Sequence, residues 1–365
     1  MKLSRGYWRM SKPGRGVTLK DVAREARVAA TTAAKVLTGR ALEFRISRQT
    51  AQRIQEVARK LGYVPSHAAR LLRASKSGLI AVFLADATDP ITAGILHAVL
   101  KNLHVHGYFP IVTVEQTGVQ EAQATWRRSR VEGVIFCGDN PQVRPSLLAN
   151  LSREGIVSLM AGNYRRPARS PKYFTQVASV RVDDRAGIQL AIRHLAEQRR
   201  RRIAYIPGPA TSFDAAERLS AYEAFIYAHH APMVADGLGD ERYWNLGYLG
   251  ARQLLEKHLP RIDAIMAYDD PVAMGAIKYL SDNGIRVPED VAVVGFDNQP
   301  EAEYSIPSLT SIHQPVDEIG RQSVELMKRM LQQQAQPEHL LVGPQLVARG
   351  STVGGSTDFS SVPGP

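Results

Sequence analysis

Apolar positions first recur with helical spacing at Leu19, Val22, Ala23 and Ala26, a stripe at i, i+3, i+4 and i+7. Thr18 stands before the stripe as an N-cap. Asp21, three residues on, makes a near capping box and complements the helix dipole. The pattern breaks at Arg27-Val28-Ala29 and resumes with Ala33, Ala34, Val36 and Leu37. Two short helices joined by a tight turn form a helix-turn-helix, whose second helix can lie in a DNA major groove. An ordinary helical hairpin in an α-helical core fits the same pattern. After a long connection from Gly39 to Ile46, Ser47 caps a third helix with Ile54, Val57, Ala58 and Leu61 on its core face. Gly62 ends it as the C′ residue, with Pro65 just beyond. Residues 66–76, SHAARLLRASK, are either a basic linker or a short helix that forms only when docked.

From Leu79 the pattern becomes α/β. Strand LIAVFLA leads to a helix at about 92–106, then strand YFPIVTV, a helix over 119–131, strand GVIFC, another helix, and strand GIVSLM. A second series starts with VASVRV and a helix from Asp184 to about Gln198. It continues with strand RIAYIPG, helices over 214–229 and 246–258, strand AIMAY, a helix over 271–283 and strand VAVVGF. Alternation of this kind predicts parallel sheets covered on both faces, and two series predict two lobes. Ligands of such folds sit beyond the carboxyl ends of the strands, here in a cleft shared by the lobes.

Charge decides between the readings of the N-terminal helices. Residues 1–77 hold 18 Lys and Arg against 4 Asp and Glu, a net of +14, whereas the whole chain carries +11. Residues 78–365 therefore carry a net of −3. The basic excess belongs entirely to the N-terminal fifth, the footprint of a small DNA-binding module on a near-neutral body. The single cysteine, Cys137, excludes an intramolecular disulfide and suits a reducing cytoplasm; at the end of the apolar run VIFC it reads as a buried structural thiol. The basic N-terminus has no apolar core of a secretory signal, and no apolar run approaches the length of a membrane span.

The chain resembles the lactose-repressor (LacI/GalR) family of bacterial transcription regulators over residues 17–350. The segments that carry the resemblance are TLKDVAREARV, RKLGYVPSHAARLLR, DDRAGIQLAIRHLAEQRRRRIAYIPG and the long stretch from Pro260 to Gly320. It implies an N-terminal all-α helix-turn-helix domain and an α/β two-lobed, periplasmic-binding-protein-like (type I) effector domain. The expected division is a flexible basic arm over 1–16, the DNA-binding domain over 17–65 and a hinge helix or linker over 66–77. An effector-binding and dimerisation domain over 78–350 and a tail over 351–365 complete it.

By the same resemblance, Ala30, Thr31 and Lys35 match base-reading positions, and Thr18, Thr32 and Ser47 match phosphate contacts. Leu72, with Ala69 beside it, matches the hinge leucine that wedges into the minor groove. Lys35 replaces the usual Arg and lacks its planar two-point fork. Arg27 stands at the family's turn glycine, Ala29 and Ala34 replace usual serines, and the connection over 39–46 is about three residues longer than the family's.

Asp270 matches the effector-binding aspartate, with Asp269 in place of a common Asn, and Arg218 matches the effector-binding arginine. Asp183, near a lobe crossover, is a third candidate. An arginine facing a carboxylate suits a polyhydroxyl ligand, although the pair also reads as a plain interlobe ion pair. Ile91 and Thr92 replace a frequent aromatic pair, which disfavours a stacked purine. Arg242, beside Tyr243 and Trp244 in the loop expected to floor the pocket, reads either as a partner for an acidic ligand or as solvated surface.

Enzyme readings lose on spacing. No phosphate-cradling Gly-rich loop, Gly-x-Ser-x-Gly elbow or His-Glu-x-x-His helix occurs. His104 and His106, two apart on a helix, point different ways; His229-His230 and Asp269-Asp270 are neighbours that diverge. A transporter's solute-binding protein would share the two lobes, but not the +14 module. The expectation is a cytoplasmic, nucleoid-associated homodimeric repressor without a cofactor. It would read a pseudo-palindromic operator under control of a small effector, a carbohydrate or derivative.

Overall fold

The computed structural model describes residues 17–37, 41–63, 76–84, 86–114, 118–138, 143–162, 177–210, 212–227, 231–238, 241, 243–258 and 261–353. Two compact units divide the chain between Ser77 and Gly78.

The first unit packs three helices, α1 (Leu19–Glu25), α2 (Ala30–Leu37) and α3 (Arg48–Leu61). Their buried core is Val22, Ala23, Ala26, Ala33, Val36, Ile54 and Ala58, so the apolar stripes are the packed faces. The capping box is present: the Thr18 hydroxyl oxygen accepts from the Asp21 N–H at 3.4 Å, and the Asp21 carboxylate accepts from the Thr18 N–H at 3.0 Å. Ser47 accepts from the Thr50 N–H at 3.3 Å, and Gly62 closes α3 in the left-handed region at φ 66°. Arg27 closes α1 in the same region, at φ 53°. There the Val28 N–H reaches back to the Ala23 carbonyl at 3.0 Å.

The second unit holds two six-stranded sheets. In the first lobe, β1 (Leu79–Leu84), β2 (Phe109–Val114), β3 (Gly133–Cys137), β4 (Val157–Ala161), β5 (Ala178–Val182) and β11 (His339–Val342) lie in the order β11-β5-β4-β3-β1-β2, all parallel. On one face α5 (Val119–Ser129) and α6 (Pro145–Arg153) cover the edge-to-face trio Phe83, Trp126 and Phe136. On the other, α4 (Pro90–Val105) packs against α12 (Val316–Leu331). Cys137 is buried there, and burial pushes its thiol up to about 12, as befits a structural cysteine.

In the second lobe, β6 (Ile203–Ile206), β7 (Met233–Val234), β8 (Ala264–Ala267), β9 (Ala292–Asp297), β10 (Thr310–His313) and β12 (Gln345–Val347) run in the order β12-β10-β9-β8-β6-β7. Only the β12 pairing is antiparallel. Helices α7 (Asp184–Glu197) and α8 (Phe213–Ile226) cover one face; α9 (Tyr243–His258) and α10 (Asp270–Asp282) cover the other. Those last two helices touch backbone to backbone: a Cβ on Gly247 would lie 1.9 Å from the Val272 carbonyl oxygen, so no larger residue fits. A short helix α11 (Glu301–Tyr304) precedes β10.

Two expectations are corrected. VASVRV does not open the second lobe: β5 pairs with β4 and belongs to the first sheet. The chain crosses at Asp183, returns through Gln314-Pro315 to lay α12 on the first lobe, and crosses again after β11. The lobes are therefore interleaved rather than successive. Nor does a tail begin at 351. Ser351 and Thr352 are buried; the Ser351 hydroxyl donates to the Val293 carbonyl at 2.6 Å and accepts from the Thr310 N–H at 2.8 Å. The expected arm (1–16), residues 66–75 of the expected hinge (66–77) and the rest of the tail (354–365) lie outside the described residues.

The left-handed turn at Arg27 carries a steric cost of roughly 1 kcal/mol that glycine would relieve. Arg27→Gly is expected to raise the stability of the N-terminal unit by up to about 1 kcal/mol, read as a higher urea midpoint at unchanged slope. A lower midpoint would mean that the Arg27 side chain contributes more than its backbone strain costs.

Candidate functional sites

In the first unit, Ala33 and Val36 turn inward, and the opposite face of α2 carries Thr31 and, one turn on, Lys35. Thr31 is exposed; Thr32 and Lys35 are half-buried. The Lys35 Nζ lies 3.6 Å from the centroid of the Phe44 ring. Ala30 starts the helix and packs partly against the core. Thr18 and Ser47 sit at the N-termini of α1 and α3, where backbone N–H groups favour anions, with both hydroxyls engaged in caps. Ala69 and Leu72 lie outside the described residues.

In the second unit, the carboxyl ends of the strands and the helices that follow bring acidic residues together. Arg218, on α8, is the centre, 1% exposed. Its Nε donates to Asp184 Oδ1 at 2.9 Å and its Nη1 to the Tyr268 carbonyl at 2.7 Å. Asp214 and Asp297 stand 3.6 and 3.7 Å from the guanidinium, which lies 3.6 Å from the centroid of the Phe296 ring. Nη2 has no hydrogen-bond partner. Burial opposes the arginine's charge, but the three carboxylates overcome it and hold its pKa well above the usual range.

For two of the carboxylates, burial outweighs the arginine's pull. Burial pushes Asp184 up to about 6 against the pull of Arg218, and Asp297 is raised well above its ordinary value. Asp269, which caps α10 by accepting from the Val272 N–H at 2.8 Å, is raised to about 7, mainly by burial. Asp89, the cap of α4 in the first lobe, adds to that rise; the two lobes thus face each other with acidic residues. Tyr268 donates its hydroxyl to Asp214 at 2.9 Å, and Gln314, at a crossover, donates to Asp297 at 2.6 Å.

Asp270 is corrected. It is fully buried in the wall of the second lobe, accepting from the Ser311 hydroxyl at 2.5 Å and the Gln299 N–H at 2.7 Å, and does not touch Arg218. The residues gathered on Arg218 are Asp184, Asp214 and Asp297, all of the second lobe, so neither an interlobe pair nor an Arg218–Asp270 clamp forms. Two of the three were legible in principle: Asp297 ends a strand, and Asp214 stands four residues before Arg218 on one helix. Asp183 caps α7 through the Ala186 N–H at 3.0 Å and sits at the crossover. Thr92 is buried at the start of α4, Ile91 packs into the first-lobe core, and Arg242 lies outside the described residues. No cluster of metal-ligating residues occurs among the described residues, and no helix there is long and apolar enough to cross a membrane.

Asp270 is raised to about 7, chiefly by burial, so the folded state holds a proton that the unfolded chain releases near pH 4. Its contribution is full below pH 4 and is lost as pH rises toward 7. Buried His194 and half-buried His313, whose pKa values burial lowers, work the opposite way, so the test is a difference. The melting temperature of the wild type relative to Asp270→Asn should fall between pH 5 and 8; a constant difference would place the proton elsewhere.

Both units have counterparts among known proteins. Residues 18–66 match the model of the lacI family of bacterial regulatory proteins, and residues 192–352 match a periplasmic binding protein-like domain. The HTH-type transcriptional regulator CelR of Thermobifida fusca is 30% identical over 349 residues, covering 92% of this chain and 98% of CelR. The HTH-type transcriptional repressor PurR of Escherichia coli O139:H28 is also 30% identical, over 351 residues, covering 93% and 97%. Among solved structures, the lac repressor dimer bound to operator and an anti-inducer superposes with a TM-score of 0.76 at 24% identity, covering 93% of this chain and all of that one. A CelR–cellobiose complex superposes with a TM-score of 0.63 at 27% identity, covering 92% and 99%. The chain belongs to the lacI family of bacterial regulatory proteins.

Proposed function

We propose that the chain is a sequence-specific DNA-binding transcriptional regulator, a repressor whose operator affinity is set by a polyhydroxyl effector bound between the two lobes. It acts by differential binding rather than by turnover. The observation that carries this reading is the polarised charge: a helix-turn-helix unit holding the whole basic excess precedes a body in which carboxylates gather around one buried arginine at the carboxyl ends of the second-lobe strands. Carboxylates accept from sugar hydroxyls, and the guanidinium edge donates to them. CelR, a transcriptional regulator solved with cellobiose, supports a carbohydrate as the effector class.

In this reading Thr31 and Lys35 face base edges, with Ala30 beside them, while Thr18, Thr32 and Ser47 set register on phosphates. Leu72 and Ala69 form the minor-groove wedge. In the cleft, Asp269, Asp297, Asp183 and Thr92 meet the effector, with the buried Arg218 holding the carboxylates in place.

A homodimer follows from exposed apolar side chains in both lobes. Phe109 and Val112 project from the edge strand β2, and Tyr304 and Ile306 are 80% and 91% exposed. A two-fold pairing that covers them would present two reading heads to a pseudo-palindromic site. The reading is tested by selecting bound duplexes from a random pool with the full-length protein at near-physiological salt. An enriched palindrome is expected. Binding that merely fades with salt and enriches no motif would reduce the first unit to a non-specific basic patch. Phe109→Lys with Ile306→Lys is expected to sediment as a monomer and lose most operator affinity; a dimer that persists would move the interface elsewhere.

Arg218→Ala is a poor probe of the cleft, because it would remove the one guanidinium that three buried carboxylates share. Asp269→Asn keeps a good helix cap while changing the charge offered to ligand. A panel of neutral sugars that includes cellobiose should contain a member that raises the melting temperature and releases operator. Asp269→Asn should weaken that response while operator affinity stays unchanged. If only sugar acids or phosphates act, the effector class is wrong.

A further inference from the structure

We propose that Phe44 is a positioning residue for DNA reading: its ring holds the Lys35 ammonium on the face of α2 that meets the bases. This rests on the reading of Lys35 as a base contact. Lysine at a reading position has a weakness that arginine lacks. Its ammonium is a point charge on a flexible four-carbon stem, so fixing it on one base edge costs rotamer entropy and gives little directional selectivity. A neighbour that confines the ammonium before binding offsets that entropy and narrows the donor's reach.

Phe44 is placed to do this. Its ring centroid is 3.6 Å from the Lys35 Nζ, well inside the range in which an aromatic face attracts a cation. The ring is held by backbone rather than by chance contact. The Ile46 N–H donates to the Ala41 carbonyl at 3.0 Å, the Arg45 N–H donates to the Leu42 carbonyl at 3.1 Å, and Arg45 turns the chain at φ 51°. Both ends of this turn, Ala41 and Ile46, pack against the three-helix core. A core-anchored turn therefore carries Phe44 outward, 41% exposed, to the side chain at the end of the reading helix. Phe44 lies in the connection whose length departs from the family's, and it faces the residue whose type departs from the family's. The two departures are in contact.

The attraction at a half-exposed site corresponds to about two- to fivefold in affinity. Operator selection with Lys35→Met comes first: relaxed preference at one symmetric pair of positions is required. Unchanged preference would remove Lys35 as a base contact, and the role of Phe44 with it. Phe44→Leu keeps apolar bulk and removes the π face. It should relax the same pair of positions, lower the operator-to-random affinity ratio about two- to fivefold, and leave the salt slope unchanged, because phosphate contacts are untouched. Phe44→Tyr, which retains the ring face, should behave as wild type, and Lys35→Arg should restore discrimination in the Phe44→Leu background. The effects of Lys35→Met and Phe44→Leu should not add. Additive losses, or equal weakening on operator and random DNA, would overturn the proposal. If Phe44→Leu lowers the helical melting transition, Phe44→Tyr and Phe44→His at matched stability decide: an aromatic that folds yet relaxes the Lys35 positions also overturns it.

Discussion

A guanidinium sealed from water among three carboxylates is the constraint around which the effector body is arranged. Arg218 gains no hydration, so its charge must be met within the protein, and Asp184, Asp214 and Asp297 meet it from α7, α8 and the end of β9. The Tyr268 carbonyl, just after β8, takes a fourth direction, and the Phe296 ring covers one face. These are the elements whose ends form the second-lobe wall of the cleft. Removing one partner from such a cluster leaves an uncompensated buried charge, on the order of 3–5 kcal/mol, so the wall stands or fails as a unit. The Arg218 Nη2 makes no hydrogen bond, although Asp214 stands 3.6 Å away, and burial raises Asp184 and Asp269 above the usual carboxylate range.

The interleaved topology ties this wall to the junction between the lobes. Gln314, where the chain turns back toward the first lobe, donates to Asp297, and the Asp183 N–H at another crossover donates to the Val342 carbonyl at 3.0 Å, just before the third. Asp297 therefore stands one hydrogen bond from a crossover between the lobes.

The DNA-reading unit answers a different constraint. Its core is small and alanine-rich, with Ile54 its largest fully buried residue. So little apolar surface stabilises weakly, and the caps at Thr18 and Ser47 and the left-handed closure at Gly62 carry a larger share than in the body. Arg27 departs from that economy by holding a backbone conformation that suits glycine.

Periodicity, caps and charge are local properties of the chain, and by themselves they determined the three N-terminal helices, the α/β texture of the body and the segregation of basic residues into the first unit. Resemblance then pointed to Arg218, which is buried among three carboxylates, and to Asp270, which is buried apart from it. The tertiary structure alone decided which carboxylates surround the arginine, because that depends on which strand lies beside which. Asp184 and Asp297 approach Arg218 from 34 residues before it and 79 after it. Neither separation leaves a mark on hydrophobic spacing. The same holds for β5 and α12: each has the local pattern of its neighbours, and only pairing with β4 and packing on α4 assign them to the first lobe. Phe44 shows the limit at short range, since a turn closed through a left-handed Arg45, not any repeat, brings its ring over Lys35.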